Sequence, residues 1–293
     1  MRLRAATRSS PLARWQTDHI AALLRVVDPS IEVEPVLVDT TGDKNQSAPL
    51  HELGGQGVFV KEVQAAVLHG AADFAVHSAK DLPAQPTDGL VIAAVPRRGD
   101  PRDALVGRRL PDLERGATVA TGSVRRRAQL AALRPDLVFV DLRGNIATRL
   151  AKVPSGGAIV MAYAALERLG RAHMAAEVLD PGVMLPQVAQ GALAVECAAG
   201  SHLEVLLRTI EHRPSRIGVD AERSFLAGLG GGCDLPVGAY ATIEENRIRL
   251  EGLVAAPDGS RVFRCSRSGD DPISLGRLVC EEVLEAGGRS LLA

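Results

Sequence analysis

Apolar residues in the first third of the chain recur with a period that switches between two and about 3.6, which predicts strands and helices in turn. Leu3 to Ala6 reads as a short strand. Ser10 then offers a hydroxyl N-cap and Pro11 a first helical residue, opening a helix that runs to about Val27. Ile31 to Val38 (IEVEPVLV) alternates and is β-branched, so it predicts a strand, and Pro35 places that strand at an edge or a bulge. Gly42 to Gly57 (GDKNQSAPLHELGGQG) is polar and aperiodic, the composition of a lid or binding loop. Phe59 to Leu68 predicts a helix. Asp73 to His77 predicts a buried strand that ends at Ser78, Ala79, Lys80 and Asp81, and Leu90 to Val95 predicts another.

A turn-rich stretch, Pro96 to Pro101 (PRRGDP), reads as a crossover, and beyond it the plan repeats. Strands are expected at Ala117 to Ala120, Leu137 to Val140, Ala158 to Met161 and Ala192 to Glu196. Helices are expected from Ser123 to Leu133, from about Asn145 and near Leu166. Strands alternating with helices imply largely parallel sheets covered on both faces, with ligands gathering at the carboxyl ends of the strands. From about Arg216 the pattern changes to a helix (VDAERSFLAGL), three strands at Val237 to Ile243, Arg247 to Ala255 and Arg261 to Arg267, and a last helix from about Ile273 to Ala286. The expected architecture is two tandem α/β lobes followed by a small α+β domain with a three-stranded antiparallel sheet. Its expected boundaries are 1–96 plus 197–215, 97–196 and 216–293.

Composition narrows the function classes. At 293 residues, 46% apolar and 24% charged, with a net charge of −1, the chain is globular and has no global attraction for nucleic acid or anionic membrane. Only 3% of residues are aromatic, which counts further against a nucleic-acid platform despite Arg125 to Arg127. Lys44, Lys61, Lys80 and Lys152 are the only lysines, so 30 of the 34 cationic residues are arginines, whose planar forks suit carboxylates. Cys197, Cys233, Cys265 and Cys280 are scattered, with neither a disulfide framework nor zinc spacing. MRLRAATRSS carries no apolar segment of signal length, and a cytoplasmic location is expected.

Candidate chemistry falls at the predicted strand-to-helix junctions. Arg8, Ser9 and Ser10 follow the first strand, Thr121, Ser123, Arg125 and Arg126 another, and Arg143, Asn145 and Arg149 a third. Each junction sets a guanidinium beside the N–H groups of a helix start, a site for carboxylate or phosphate. His77 and Ser78 are adjacent on a strand and point to opposite faces, so they do not pair as base and nucleophile. Lys80 and Asp81 lie just past the strand end, where a lysine can hold an anion and a carboxylate can stabilise a developing cation. Cys233 sits behind three glycines in LGGGCDLPVG and is the one cysteine on a predicted loop. Packing suffices to explain a cysteine there; an exposed attachment thiol is the alternative.

Taken together, ATRSSPLARWQ from Ala6, GGQGVFVKE from Gly54, DFAVHSAKDLP from Asp73, DPRDALV from Asp100, TGSVRRRAQL from Thr121, LRGNIATRL from Leu142, LPQVAQGALAVEC from Leu185 and GGGCDLPVGAYA from Gly230 resemble the porphobilinogen deaminase family in order and over nearly the whole chain. The resemblance implies two lobes like those of periplasmic-binding-type proteins and a third domain whose cysteine, here Cys233, carries a dipyrromethane cofactor through a thioether. It implies a transferase of tetrapyrrole and heme biosynthesis that deaminates porphobilinogen and joins four units into hydroxymethylbilane. Asp81 matches the family's catalytic aspartate. Lys80, Arg125, Arg126, Arg143, Thr121 and Ser123 match cofactor-binding positions, and Arg8, Ser10, Arg149 and Arg168 match substrate-binding ones. The implied partner is this small molecule alone, without metal, nucleic acid or membrane, and the implied state is a monomer. Three positions depart from the pattern: Gln56 replaces a usual lysine, Gly122 a serine, and Ala189 the first glycine of GQG, with His51 and Lys61 as the nearest replacements for the missing lysine charge. The rival reading is a two-lobed anion-binding module without catalysis, which needs neither Asp81 nor a loop thiol.

Overall fold

The computed structural model describes residues 1–44, 59–230 and 236–291. Along the chain they form β1 (Arg2–Arg8), α1 (Pro11–Val27), β2 (Glu32–Val38), α2 (Thr41–Lys44), α3 (Lys61–Leu68), β3 (Phe74–Ser78) and β4 (Leu90–Ala94). Then come β5 (Asp103–Gly107), β6 (Thr118–Ala120), α4 (Val124–Leu133), β7 (Val138–Val140), α5 (Ile146–Leu150), β8 (Ala158–Ala162), α6 (Tyr163–Arg168), β9 (Ala175–Val178) and β10 (Leu193–Ala198). The remainder is α7 (Leu203–Arg208), α8 (Arg213–Gly228), β11 (Val237–Glu244), β12 (Arg247–Ala255), β13 (Val262–Gly269) and α9 (Pro272–Glu285). No helix among the described residues is long and apolar enough to cross a membrane.

Contacts divide the chain into two compact units, Met1–Gly99 with Ala192–Arg216, and Asp100–Gly191 with Ile217–Ala293. The first unit is built on a sheet of order β2-β1-β3-β10-β4. β1 runs parallel to β2 and β3, whereas β10 is antiparallel to both β3 and β4. Pro35 is tolerated because β2 is an edge strand whose free side needs no donor. Ser10 caps α1 by accepting the Ala13 N–H at 3.3 Å, and Ala13, Ile20, Ala21 and Leu24 recur at helical spacing on its buried face. Ile20 and Leu24 join Leu203 and Leu207 of α7 in one core layer, while Val63 and Val67 of α3 pack with Ala6 and Ala75 in a second. The sheet is thus covered on both faces.

In the second unit a five-stranded sheet of order β7-β6-β8-β5-β9 accompanies the three-stranded sheet β11-β12-β13. β6 is parallel to β7 and β8, and β5 is antiparallel to β8 and β9. The strand expected at Ala192 to Glu196 closes the first sheet rather than the second, because its N–H and C=O groups pair with β3 and β4. The passage between units therefore falls at Gly191–Ala192, five residues before the expected boundary at 196. The sequence expectation also lacked β5, β9 and α7, each a segment of four to six residues. The β11–β12 hairpin turns at Glu245 and Asn246, both with positive φ, as a two-residue hairpin of right-handed twist requires.

Candidate active site

Two strands of the first sheet deliver candidate residues to one edge. β1 and β3 are adjacent and parallel, so Arg8, at the end of one, and the 3-10 turn Ala79–Asp81, after the other, both follow carboxyl ends. The turn is fastened at its root: Gln16 Nε2 of α1 donates to Ser78 Oγ at 2.8 Å, and the Ala79 N–H donates to the Ala192 carbonyl at 3.0 Å. Lys80 and Asp81 are half-buried on that turn. Arg8 lies over the Phe59 ring at 4.1 Å, a cation–π contact that orients the guanidinium without neutralising it. His77 takes no part in a nucleophile pair. It is buried on β3 with its Nε2 3.0 Å from Glu196 Oε2, and Gln64 Nε2 donates to the same oxygen at 2.9 Å.

The second sheet gathers more. β6, β7 and β8 are mutually parallel, and each is followed by a helix that carries at least one arginine. After β6, Ser123 caps α4 by accepting the Arg126 N–H, and Thr121 Oγ1 accepts the Ser123 N–H at 3.2 Å. After β7, Asn145 caps α5 by accepting the Thr148 N–H at 2.9 Å, with Arg143 before it and Arg149 Nε donating to the Gly144 carbonyl at 2.7 Å. After β8, Arg168 closes α6 and donates to the Gly191 carbonyl at 2.6 Å. Burial lowers the Arg168 guanidinium to about 10, against the opposing pull of Glu167.

Arg125 and Arg126 occupy positions quite unlike exposed first-turn arginines. Both are buried and converge on Asp103, which is fully buried at the start of β5. Arg126 donates through Nε (3.0 Å) and Nη2 (2.8 Å) to Asp103 Oδ1, and Gln190 Nε2 donates to that oxygen at 2.9 Å. Nη2 of Arg125 approaches Oδ2 at 2.7 Å but without hydrogen-bond alignment, and Nε of Arg125 has no hydrogen-bond partner among the described residues. Its Nη1 donates to the Leu185 carbonyl at 2.6 Å. Burial alone would raise the Asp103 carboxyl; Arg125, Arg126 and the Gln190 amide outweigh it and hold the group down to about 2. Burial likewise lowers Arg125, against the pull of Asp103. Among the described residues, two buried guanidiniums face one carboxylate, an excess of positive charge away from water that favours a second anion.

Asp103 and Gln190 were not among the sequence candidates, although both lie within stretches already singled out, DPRDALV and LPQVAQGALAVEC. Cys233, Gln56 and His51 lie outside the described residues, as does most of the expected loop Gly42 to Gly57; Lys61 is the exposed first residue of α3. The described thiols are poor nucleophiles. Burial raises Cys197 and Cys280, and burial with the Glu282 carboxylate raises Cys265 to about 11.

A family model described as "Porphobilinogen deaminase, dipyromethane cofactor binding domain" matches residues 3–204, and one described as "Porphobilinogen deaminase, C-terminal domain" matches residues 217–285. The chain belongs to the porphobilinogen deaminase family. Among relatives, the porphobilinogen deaminase of Acidothermus cellulolyticus is 47% identical over 302 residues, covering 99% of this chain and 91% of the relative. That of Brevibacillus brevis is 43% identical over 297 residues, covering 99% and 96%. A YaeC-family lipoprotein from Enterococcus faecalis, among solved structures, is 15% identical, covers 71% of this chain and 90% of its own, and has a TM-score of 0.42; the sheet orders above stand without it. The family's dipyrromethane bears carboxylates, and the donor set fits it. A buried guanidinium nitrogen without a hydrogen-bond partner among the described residues, two buried guanidiniums on one carboxylate there, and two side-chain-capped helix starts on one sheet edge suit such an anionic group.

Proposed function

We propose that the protein is a hydroxymethylbilane synthase, joining four porphobilinogen molecules head to tail with loss of ammonia on a dipyrromethane carried by the Cys233 sulfur. The observation that carries the reading is the buried Arg125–Asp103–Arg126 cluster, two guanidiniums to one carboxylate among the described residues, in a chain of this family. Each porphobilinogen adds two carboxylates to the growing chain, so the site needs many fixed cations, and arginine forks at strand ends supply them. The bound dipyrromethane supplies the free α-carbon to which the first unit is joined.

This chain's own residues take the remaining roles. Asp81 accepts hydrogen bonds from pyrrole N–H groups and stabilises the positive charge that develops on substrate as ammonia leaves. Lys80, Arg125, Arg126 and Arg143 hold cofactor carboxylates, and Arg8, Arg149 and Arg168 those of substrate. Thr121 and Ser123 assist the first set and Ser10 the second: each hydroxyl accepts one backbone N–H or caps a helix and keeps its own proton to donate. Cys233 is favoured as the attachment point because the three described thiols have raised pKa values and few thiolates at neutral pH. The reading includes a cytoplasmic monomer in which the three sheets serve as three domains, acting on a small molecule and on neither nucleic acid nor membrane.

Intact-mass measurement tests the attachment. The purified wild-type protein is expected to carry the added mass of one dipyrromethane, and Cys233→Ser to lose it; a folded wild-type chain of unmodified mass refutes the proposal. Asp81→Asn is expected to keep that mass yet consume porphobilinogen at least ~100-fold more slowly, in the range of lost electrostatic stabilisation. Wild-type turnover in Asp81→Asn removes the aspartate from the mechanism.

A further inference from the structure

The hairpin between β12 and β13 turns through Pro257, Asp258 and Gly259, and its tip rests on α4, the helix that carries Arg125 and Arg126. Gly259 has φ +76°, and a Cβ there would lie 2.6 Å from the Ala128 carbonyl oxygen and 2.6 Å from the Ala132 nitrogen. Both are backbone atoms, so neither can swing aside as a side-chain end would. The tip is braced internally. Asp258 Oδ1 accepts from the Ser260 N–H at 3.0 Å and its hydroxyl at 2.7 Å, and the Gly259 N–H donates to the Ala256 carbonyl at 2.9 Å.

α4 is gripped elsewhere too. Gln129 clasps the Leu185 peptide, donating from Nε2 to its carbonyl at 3.0 Å and accepting its N–H at Oε1 at 2.8 Å. The carbonyl is the one that Arg125 Nη1 reaches. The next residue, Pro186, accepts the Ala239 N–H of β11 at 3.0 Å, and Ala128, Leu185, Leu253 and Ala255 share one apolar cluster with Tyr240 against it. The three-stranded sheet thus meets α4 at the hairpin tip and, through Leu185, at Arg125 itself.

We propose that the Pro257–Gly259 hairpin tip is a positioning element for Arg125 and Arg126, seating backbone against backbone on α4 and so fixing how these guanidiniums meet a carboxylate of the bound chain. The inference rests on the reading of the arginines as carboxylate binders. A methyl at Gly259 falls about 1 Å short of ordinary contact distance, and displacements near 1 Å remote from the chemistry can weaken it up to ~100-fold.

The experiment compares Gly259→Ala with Gly116→Ala. Gly116 has φ +79° with nothing within 4 Å of its Cβ, so it carries the same backbone strain without the clash. KM and kcat for porphobilinogen are measured well below both unfolding transitions. Relative to Gly116→Ala, Gly259→Ala is expected to raise KM about tenfold and to change kcat less than about twofold, the pattern of impaired binding. Equal KM values in the two variants, whatever their melting temperatures, overturn the proposal. Should Gly259→Ala fail to fold, Asp258→Ala loosens the exposed tip without adding bulk; its KM is expected to rise, and an unchanged KM is equally fatal. Arg149→Gln, at a residue placed on substrate carboxylates, tells the two ideas apart: a wild-type KM there sinks the carboxylate reading and the hairpin proposal with it, whereas a raised KM there with none in Gly259→Ala sinks the hairpin proposal alone.

Discussion

Replacing Asp103 by Asn removes a carboxylate that the buried guanidiniums of Arg125 and Arg126 share, while keeping the side chain's shape. The size of the effect follows from the site. Asp103 falls from 3.8 to about 2 on folding, and at ~1.4 kcal/mol per pKa unit this is roughly 2 kcal/mol of stability. Truncating a buried pair also strands the partner charge, which brings the expected loss at pH 7 to about 3–5 kcal/mol. The sign is fixed by the direction of the shift. A carboxyl whose folded pKa is depressed stabilises fully above its unfolded value of 3.8 and loses that contribution as pH falls toward 2. Wild type should therefore lose about 2 kcal/mol between roughly pH 5 and pH 2 that Asp103→Asn does not lose, and the gap between them should narrow. The single tryptophan, Trp15, lies on α1 in the first unit, so its fluorescence would follow the wrong transition. Hydrogen exchange of peptides from 100–191, or circular dichroism resolved into two transitions, reports on the second unit. A gap below about 1 kcal/mol at pH 7, or one that does not narrow on acidification, would refute the assignment of Asp103 as the counter-charge.

Two further outcomes are expected. Ala189 has φ +59° in a fully buried position where its N–H donates to Glu222 Oε2 at 2.6 Å, so Ala189→Gly relieves left-handed strain of ~1–2 kcal/mol against an unfolded-state entropy cost of ~0.4–1 kcal/mol. A net gain of about 0.5 kcal/mol should appear in urea unfolding, and a loss would show that the strain is illusory. Cys265, raised to about 11 by burial and Glu282, should alkylate slowly at pH 8 and steeply faster toward pH 11 when followed by peptide mapping; labelling complete within minutes at pH 8 contradicts the assigned environment.

Much of the fold was legible because local chemistry and burial agree. Ser10–Pro11 opens α1 with a cap the structure retains, Pro35 sits on an edge strand, and Glu245–Asn246 makes the tight hairpin turn. The segments that escaped are short and not self-marking. DALVG at β5 follows a polar turn and offers four apolar or small residues, and AAEV at β9 lacks both length and alternation; tertiary pairing, not propensity, makes them strands. At the site, the helix-start arginines could be read as candidate anion binders one at a time. Their depth was not: nothing local in SVRRRAQL says that two guanidiniums turn inward, because the partner that pulls them in lies 22 and 23 residues earlier, on another strand.

The rule that ligands gather at the carboxyl ends of parallel strands explains why that partner was overlooked. In each five-stranded sheet four strands share one direction and one runs against them, β10 in the first and β5 in the second. An opposed strand reaches the carboxyl edge of its parallel neighbours with its first residue, not its last. Asp103 opens β5 and pairs with Ala162 at the end of β8, and Leu193 opens β10 beside Ser78 at the end of β3. The residues leading into a reversed strand therefore belong to the same edge as those that follow a parallel one, and Asp103 meets Arg125 and Arg126 there for that reason. Both reversed strands come just after the chain passes from one unit to the other, at Gly99–Asp100 and at Gly191–Ala192. A change of unit thus delivers the chain to the carboxyl edge of the parallel strands from outside the βα repeat, and it is there that a counter-charge can be supplied without disturbing the helix starts that hold the cations.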